Sequence, residues 1–377
     1  MVVLCKLILR RFEENDLQSL LGLLRSNISD FHDMQYLNWK YRENPNGFPV
    51  IWVAEDKGRI IGCYILNPVK LRIGQVLVMG AQAVDAAVDS AYRRVGIFKK
   101  LAVDAIAQAA NDGVSIIYAF TNEISYKGSV RIGFRPMFTL PKMFKVFRIS
   151  SLLEGRVPFS GSFLQKALGK MDAFQRINKT EISVESNYAL KVRATRDFDS
   201  KFEAFWKEIC KENNSLLVER DLAYLNWRYM NHPEKYYTTY VCEKNGEIVG
   251  YIVVNVEKAH EPYKLLVGNI IDLVTLPNMT NAAYPLVSAS CDHFERESVD
   301  IAGCWMFRWH PFHSILGRFG FCDRYELLRR TASRSRNSSH FICYMNSKAT
   351  IQAAIGSMQG PSKPHWWFIM PGDADFT

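Results

Sequence analysis

No stretch of this sequence is long and apolar enough to cross a bilayer. The longest apolar runs, such as Ile60–Leu66 and Val76–Met79, are strand-sized, against the ~20 residues a membrane helix needs, so no spanning segment and no membrane partner are expected. A signal-peptide pattern is also missing. Lys6, Arg10 and Arg11 are scattered through the first apolar run instead of preceding it, which reads as a first β-strand and a cytoplasmic protein. Eight cysteines (Cys5, Cys63, Cys210, Cys242, Cys291, Cys304, Cys322, Cys343) include no Cys-x-x-Cys pair and no metal-ligand spacing with histidine. They read as small buried hydrophobes in a reducing compartment, with no metal site. No helix-turn-helix, zinc finger or block of Lys/Arg stands out and the basic residues are dispersed, so nucleic acid is not the expected partner. An acidic run suited to a polycation is absent too.

What is present describes a soluble globular chain. At ~150 residues per domain, 377 residues predict two domains, and 48% apolar with 23% charged residues suffices for sizeable cores. Lys and Arg number 47 and acids 38, a net charge of +9 that favours an anionic partner. A phosphorylated cofactor or a nucleotide-linked substrate would both qualify.

The organisation comes from an internal repeat. Tyr36-Leu37-Asn38-Trp39-Lys40-Tyr41-Arg42-Glu43-Asn44-Pro45 returns 188 positions on as Tyr224-Leu225-Asn226-Trp227-Arg228-Tyr229-Met230-Asn231-His232-Pro233, six of ten positions identical. Each copy is followed by a hairpin pattern: Val50–Ala54, Asp56-Lys57-Gly58 and Ile60–Leu66, then Thr239–Cys242, Lys244-Asn245-Gly246 and Ile248–Val254. Lys-Gly and Asn-Gly supply the left-handed residues a tight turn requires. Both copies close alike, in Arg131-Ile132-Gly133-Phe134 and Arg318-Phe319-Gly320-Phe321. Duplication follows, with domains at 1–150 and 185–345. The linker 151–184 carries a short helix-like run around Phe163–Phe174. The remainder, 346–377, is a C-terminal extension or a final strand with an acidic end.

In the first copy a strand over Gln75–Val88 leads through Tyr92-Arg93-Arg94-Val95-Gly96-Ile97-Phe98 into a helix. Its apolar face is Phe98, Leu101, Ala102, Ala105, Ile106 and Ala109, with Gly113 at the C-cap. Strand, basic turn with one glycine and helix N-terminus make an anion site for a pyrophosphate; the bland alternative is a solvated loop. Another strand, Val114–Phe120, ends just before Asn122.

This order of elements, with Arg93-x-x-Gly96 and the terminal Gly133-Phe134, resembles the GNAT superfamily of N-acyltransferases and specifically its two-copy members. The resemblance implies an α/β fold: two tandem domains, each a mixed, mostly antiparallel twisted sheet flanked by helices. It implies acetyl-CoA as acyl donor. The amides of Arg93, Arg94, Val95, Gly96, Ile97 and Phe98 would hold its pyrophosphate. Backbone groups of Ala86, Ala87 and Val88 would pair with the pantetheine arm, with Asn122 and Ser125 lying along it. Asn122 alternatively reads as a strand-end turn residue. Phe98 and Arg94 depart from the family loop, which has small residues there, and Ser129 stands where many members carry an acidic-role tyrosine; Tyr126 is out of register.

The second copy has Leu276-Pro277-Asn278-Met279-Thr280-Asn281 where the loop belongs. Proline and the missing glycine remove the amides, which predicts one acyl-CoA site per chain. Trp305, Arg308, Trp309 and His310 form the densest aromatic and cationic cluster and are the expected substrate wall; alternatively they fill a strand's core. Asp85 is the catalytic-base candidate by position, although Asp272 matches it in the second copy. The layout resembles bacterial enzymes that N-acetylate nucleotide-linked amino-deoxy sugars for surface polysaccharide, so a small amino-sugar nucleotide, a dTDP sugar above all, is the expected acceptor. Another small amine or a peptide, a tRNA-dependent aminoacyl transferase of the same two-domain build, and a non-catalytic binding protein remain open.

Overall fold

A computed structural model describes residues 7–28, 33–148, 190–212, 215–259, 265–323, 339–346 and 367–374. The expected linker 151–184, with its helix-like run, lies outside them. The first half runs β1 (Ile8–Arg11), α1 (Leu17–Asn27), α2 (Met34–Leu37) continuing into a π-helical turn at Asn38–Arg42, β2 (Val50–Asp56), β3 (Arg59–Ile73), β4 (Val76–Val88), α3 (Ile97–Asn111), β5 (Ile116–Thr121), α4 (Glu123–Arg131), β6 (Arg135–Thr139) and β7 (Lys142–Val146). The second half repeats the order: β8 (Lys191–Thr195), α5 (Ser200–Glu212), β9 (Leu216–Val218), α6 (Leu222–Leu225) with a π turn at Asn226–Met230, β10 (Thr238–Lys244), β11 (Glu247–Lys258), β12 (Leu266–Thr275), α7 (Ala283–Arg296), β13 (Ile301–Trp305), α8 (Pro311–Arg318), β14 (Cys322–Asp323) and β15 (His340–Met345).

Local chemistry explains the hairpins and the helices. Lys57 and Gly58, then Asn245 and Gly246, all have positive φ, the left-handed pair whose twist matches that of the strands they join. On α3, Leu101, Ala102, Ala105, Ile106 and Ala109 are buried as their spacing predicts, with Ile97 in place of Phe98 at the helix start. Among the described residues no helix is long and apolar enough to cross a membrane, and the described cysteines are all free.

Both sheets are mixed and mostly antiparallel, with one parallel contact each, β4 with β5 and β12 with β13. The first is ordered β1-β2-β3-β4-β5-β15-β6, with β9 added to the far edge of β3; the second is β14-β7-β13-β12-β11-β10-β8. Two strands therefore cross the boundary expected between the halves. β15, from the end of the second half, lies between β5 and β6 of the first sheet. β7, from the first half, lies between β13 and β14 of the second. The exchange is reciprocal, and the first sheet's core accordingly includes Trp305, Phe307, Phe341 and Trp367.

The repeated motif is where the two halves meet. Trp39 and Trp227 stack with ring centroids 4.9 Å apart and planes 16° from parallel. Each indole N–H donates to the other's carbonyl at 2.9 Å, a two-fold arrangement built from identical sequence. β9 extends the contact by pairing with Leu71–Ile73 of β3, flanked by Arg72–Glu219 at 2.6 Å and Lys70–Asp221 at 3.0 Å.

Of the C-terminal stretch, Trp367–Ala374 is described and joins no sheet. A single bridge links Trp367 to Leu216, and the chain then turns at Pro371–Asp373, buried between the halves. The approach is close enough that a side chain at Gly372 would collide with the Tyr229 hydroxyl.

Candidate functional site

The first sheet opens into a V. β4 and β5 pair only over Gly80–Gln82 with Ile116–Tyr118, and beyond that the β5-facing edge of β4 has no strand partner among the described residues. Opposite Tyr64 the β4 strand carries one residue too many: Cys63 pairs with Ala87 and Ile65 with Val84, leaving Asp85 and Ala86 as a bulge. Asp85 sits at φ +46, a conformation that costs an L-residue about 1–2 kcal/mol. Its carboxylate repays that cost through two buried contacts, Lys40 Nζ at 2.5 Å and the Tyr41 hydroxyl at 2.5 Å. Its carbonyl accepts from Cys63 Sγ at 3.1 Å. Lys40 and the Asp85 side chain are almost wholly buried. Asp85 is thus an ion-paired clamp on the bulge, which corrects the expectation of an available base there: its carboxylate is occupied and out of solvent.

The bulged strand delivers Ala86, Ala87 and Val88 to the open edge and then enters the basic turn. Asp89 caps the 3-10 turn Ser90–Tyr92 by accepting from Ala91 N at 3.0 Å. Arg93 folds back as a brace, donating from Nε to the Val88 carbonyl (3.1 Å) and from its terminal nitrogen to Asn27 Oδ1 (2.9 Å). Arg94 at φ +68 and Gly96 at φ +88 are both left-handed, a geometry that turns successive amides toward one side as an anion-binding concavity. Gly96 is the N-cap of α3 and no side chain satisfies the helix's first amides there; the Lys100 N–H, bonded to the Gly96 carbonyl at 3.2 Å, opens the helical ladder. Val95 is half exposed, and Ile97 is buried behind the loop. The bulky Phe98 has a packing reason. It meets Tyr64 edge-on at 5.6 Å, and Gly128 of α4 leaves it room, since a Cβ there would lie 3.1 Å from the Phe98 ring.

Across the V, β5 ends at Asn122, which caps α4. Its Oδ1 accepts from Ile124 N, Ser125 N and Ser125 Oγ, each at 3.0 Å. The geometry is that of the turn-residue reading, with Asn122 as the cap of α4. Ser129 is buried. Sequence reasoning missed His340, which β15 brings to this rim: its Nε2 lies 2.8 Å from Glu123 Oε1 and its ring 4.4 Å from that of Tyr126. No local signal could reveal it, because the strand comes from 217 positions away. Lys40 and Tyr41 were also missed as site residues, although the repeated motif contained them.

Residues 9–137 match the family model described as an acetyltransferase (GNAT) domain. The match lies wholly within the first half of the chain. No curated protein matches the chain by sequence. Among solved structures, the whole fold is similar to a GCN5-related N-acetyltransferase from Anabaena variabilis (TM-score 0.61, 13% identity, 91% of this chain and 73% of that one). It is also similar to a probable N-acyltransferase from Enterococcus faecalis (0.62, 10%, 90% and 72%). A tandem GNAT protein from the clavulanic acid biosynthesis pathway, in a structure without AcCoA, matches at 0.54 with 13% identity over 91% and 99%. These likenesses establish two tandem GNAT-like domains as the fold.

The second GNAT-like unit keeps the scaffold without the loop. The equivalent of the basic turn is the 3-10 segment Pro277–Ala282 leading into α7. Asp272, the counterpart of Asp85, is fully buried and receives Arg220 at 2.8 Å, the Tyr251 hydroxyl at 2.8 Å and the Tyr229 hydroxyl at 3.3 Å. Tyr41 and Tyr229 thus serve matching carboxylates in the two units.

Trp305, Arg308, Trp309 and His310 do not converge into one wall, a correction to the sequence reading. Inward alternation along β13 puts Trp305 in the first sheet's core, 5.4 Å from Phe120. Arg308 pairs with Asp323 at 2.6 Å. Trp309 is partly exposed and stacks on Phe307 at 5.1 Å. His310 caps α8, its Nδ1 accepting from Phe312 N at 3.2 Å. Burial lowers its pKa to about 4, and that of His232 to about 3. In the unfolded chain both imidazoles bind a proton near pH 6.5, so the native state holds fewer protons between about 4 and 6.5. Their contribution to stability is complete above that window and fades as pH falls through it. His310→Asn keeps the cap but not the titration; urea unfolding from pH 7.5 to 5 should show a smaller loss of stability in this variant than in the parent chain, and an equal loss would refute the assignment.

Proposed function

We propose that the chain is an acetyl-CoA-dependent N-acetyltransferase with one working site, in the first half. The observation that carries this is the loop of residues 93–98, where two left-handed residues and an uncapped helix start gather free amides at the mouth of the V. The amides of Arg94–Phe98 suit a diphosphate. The unpaired edge of Ala86–Val88 suits the amides of the pantetheine arm, with Asn122 and Ser125 across from it. Acetyl-CoA supplies the acetyl thioester. Asp85, Lys40 and Tyr41 hold the bulge, so the edge is preorganised and its amides do not move as the reaction proceeds. No side chain in the V is assigned as general acid; positioning of the amine against the bulge carries the rate.

For the acceptor we propose the amine of a nucleotide-linked amino-deoxy sugar. Its support is the net charge of +9 and the exposed Trp309 and Arg308 at the end of β13, beside the first sheet. A cytoplasmic place accords with that substrate.

The test is calorimetric titration of acetyl-CoA into the wild-type chain and Gly96→Trp, followed by thiol release over a panel of amines that includes nucleotide amino sugars. Wild type should bind in the micromolar range. At φ +88 a non-glycine residue is strained and an indole would cover the amides, so the variant should lose more than ~100-fold, about 2.7 kcal/mol. Thiol release confined to non-sugar amines would overturn the acceptor alone; absence of coenzyme binding in wild type would overturn the activity.

A further inference from the structure

The second half carries a solvent-open pocket of about 350 Å³ between α5, β9, the end of β12, the Pro277–Ala282 turn and the start of α8. Its apolar wall is Trp206, Ile209, Leu217, Val274, Phe312 and Phe368. The cavity occupies the place in the second sheet that the V occupies in the first. Val274 and Thr275 end β12 as Ala87 and Val88 end β4, and His310 caps α8 as Asn122 caps α4. What differs is the charge. Among the described residues the lining contains no lysine or arginine, and its single charged group is the carboxylate of Glu212. A phosphate or carboxylate would find no counter-ion there and would face repulsion in a partly desolvated space. Pro277 offers no amide in place of the missing loop.

The other polar groups among these residues are neutral. Thr275, Thr280 and Ser215 contribute hydroxyls. His310 accepts at Nδ1 from Phe312 N–H, which leaves its hydrogen on Nε2 and makes the ring a donor. For scale, an apolar cavity of roughly 150 Å³ holds one benzene ring, so this one holds about two rings' worth of atoms.

We propose that this cavity is a second small-molecule site, separate from the acyl-CoA cleft, for an uncharged, mainly apolar ligand of about two-ring size that can accept a hydrogen bond. It does not rest on the proposed activity, since it follows from the cavity's own walls.

The probe is 6-propionyl-2-(dimethylamino)naphthalene, a neutral two-ring ketone whose carbonyl accepts a hydrogen bond and whose fluorescence shifts to the blue in apolar surroundings, titrated into the full chain. Saturable binding at one site per chain is expected, with energy transfer from Trp206 that falls in Trp206→Phe. Thr280→Trp should fill the cavity and weaken binding more than ten-fold, and if that variant does not fold, Ser215→Phe enters from the opposite wall with the same expectation. Glu212→Leu should bind as tightly as wild type or tighter. Excess acetyl-CoA should leave the titration unchanged. No saturable binding, undiminished affinity in both filled variants, or displacement by acetyl-CoA would each overturn the assignment.

Discussion

Arg220→Ala should cost the chain about 3–5 kcal/mol, the penalty of stripping the partner from a buried charge. The guanidinium is buried completely and serves two carboxylates, Asp272 at 2.8 Å and Asp373 at 3.0 Å, besides the Val218 carbonyl at 2.9 Å. Removing it leaves two anions facing each other out of water, one of them on the segment that ties the C-terminal stretch between the halves. Burial already raises the pKa of Asp373 above the ordinary carboxylate value. The native state therefore holds that proton at pH values where the unfolded chain has released it, and this group's contribution to stability declines as pH rises through the interval. Without Arg220 the interval widens upward, so the deficit of the variant should be smaller at pH 5 than at pH 8. Chemical denaturation at the two pH values measures both effects. Adding Asp373→Asn to the variant should restore part of the loss; a single-variant deficit below about 1 kcal/mol, within the range of ordinary surface changes, would mean that the triad is not holding this region.

Trp39→Ala and Trp227→Ala should each cost about 3–5 kcal/mol, as large buried aromatics do when truncated, and their effects should not add. The two indoles stack on each other and exchange hydrogen bonds to carbonyls. The first truncation thus already breaks the stack that the second would break. A double-mutant cycle should return a coupling of about 1–2 kcal/mol. Full additivity would show that each tryptophan packs independently into its own half.

Much of this was legible before any coordinates. The period of α3, the Lys-Gly and Asn-Gly turns and the basic loop are short-range features, set by backbone chemistry within a few residues. The repeat announced two units because identical side chains recur in register. Beyond that, local pattern is silent. Residues 142–146 and 340–345 look like any half-buried strands, and alternation specifies which face is apolar but not which edge a strand will join; the exchange, and with it the arrival of His340 at the rim of the V, depended on pairings more than 150 residues apart. The cluster from Trp305 to His310 failed for a related reason. Composition counts aromatics and cations, while strand alternation and a cap sent those four side chains to a core, a salt bridge, a surface stack and a helix end. Asp85 was misjudged because position alone does not reveal that Lys40 and Tyr41 already hold it.

The exchanged strands also set a clock on synthesis. The edge of β5 that β15 must occupy emerges from the ribosome long before its partner: Thr121 meets a residue 219 positions later, which at ~5–20 residues per second is about 10–40 s of translation. Throughout that time the nascent first unit presents an open strand edge and an unfilled aromatic core, and β7 waits likewise for β13. Neither unit can mature on its own as it leaves the tunnel, so in the cell this fold is completed only after β15 has emerged, and shielding of the waiting edge by a chaperone, or a fast final closure, becomes part of how the protein is made.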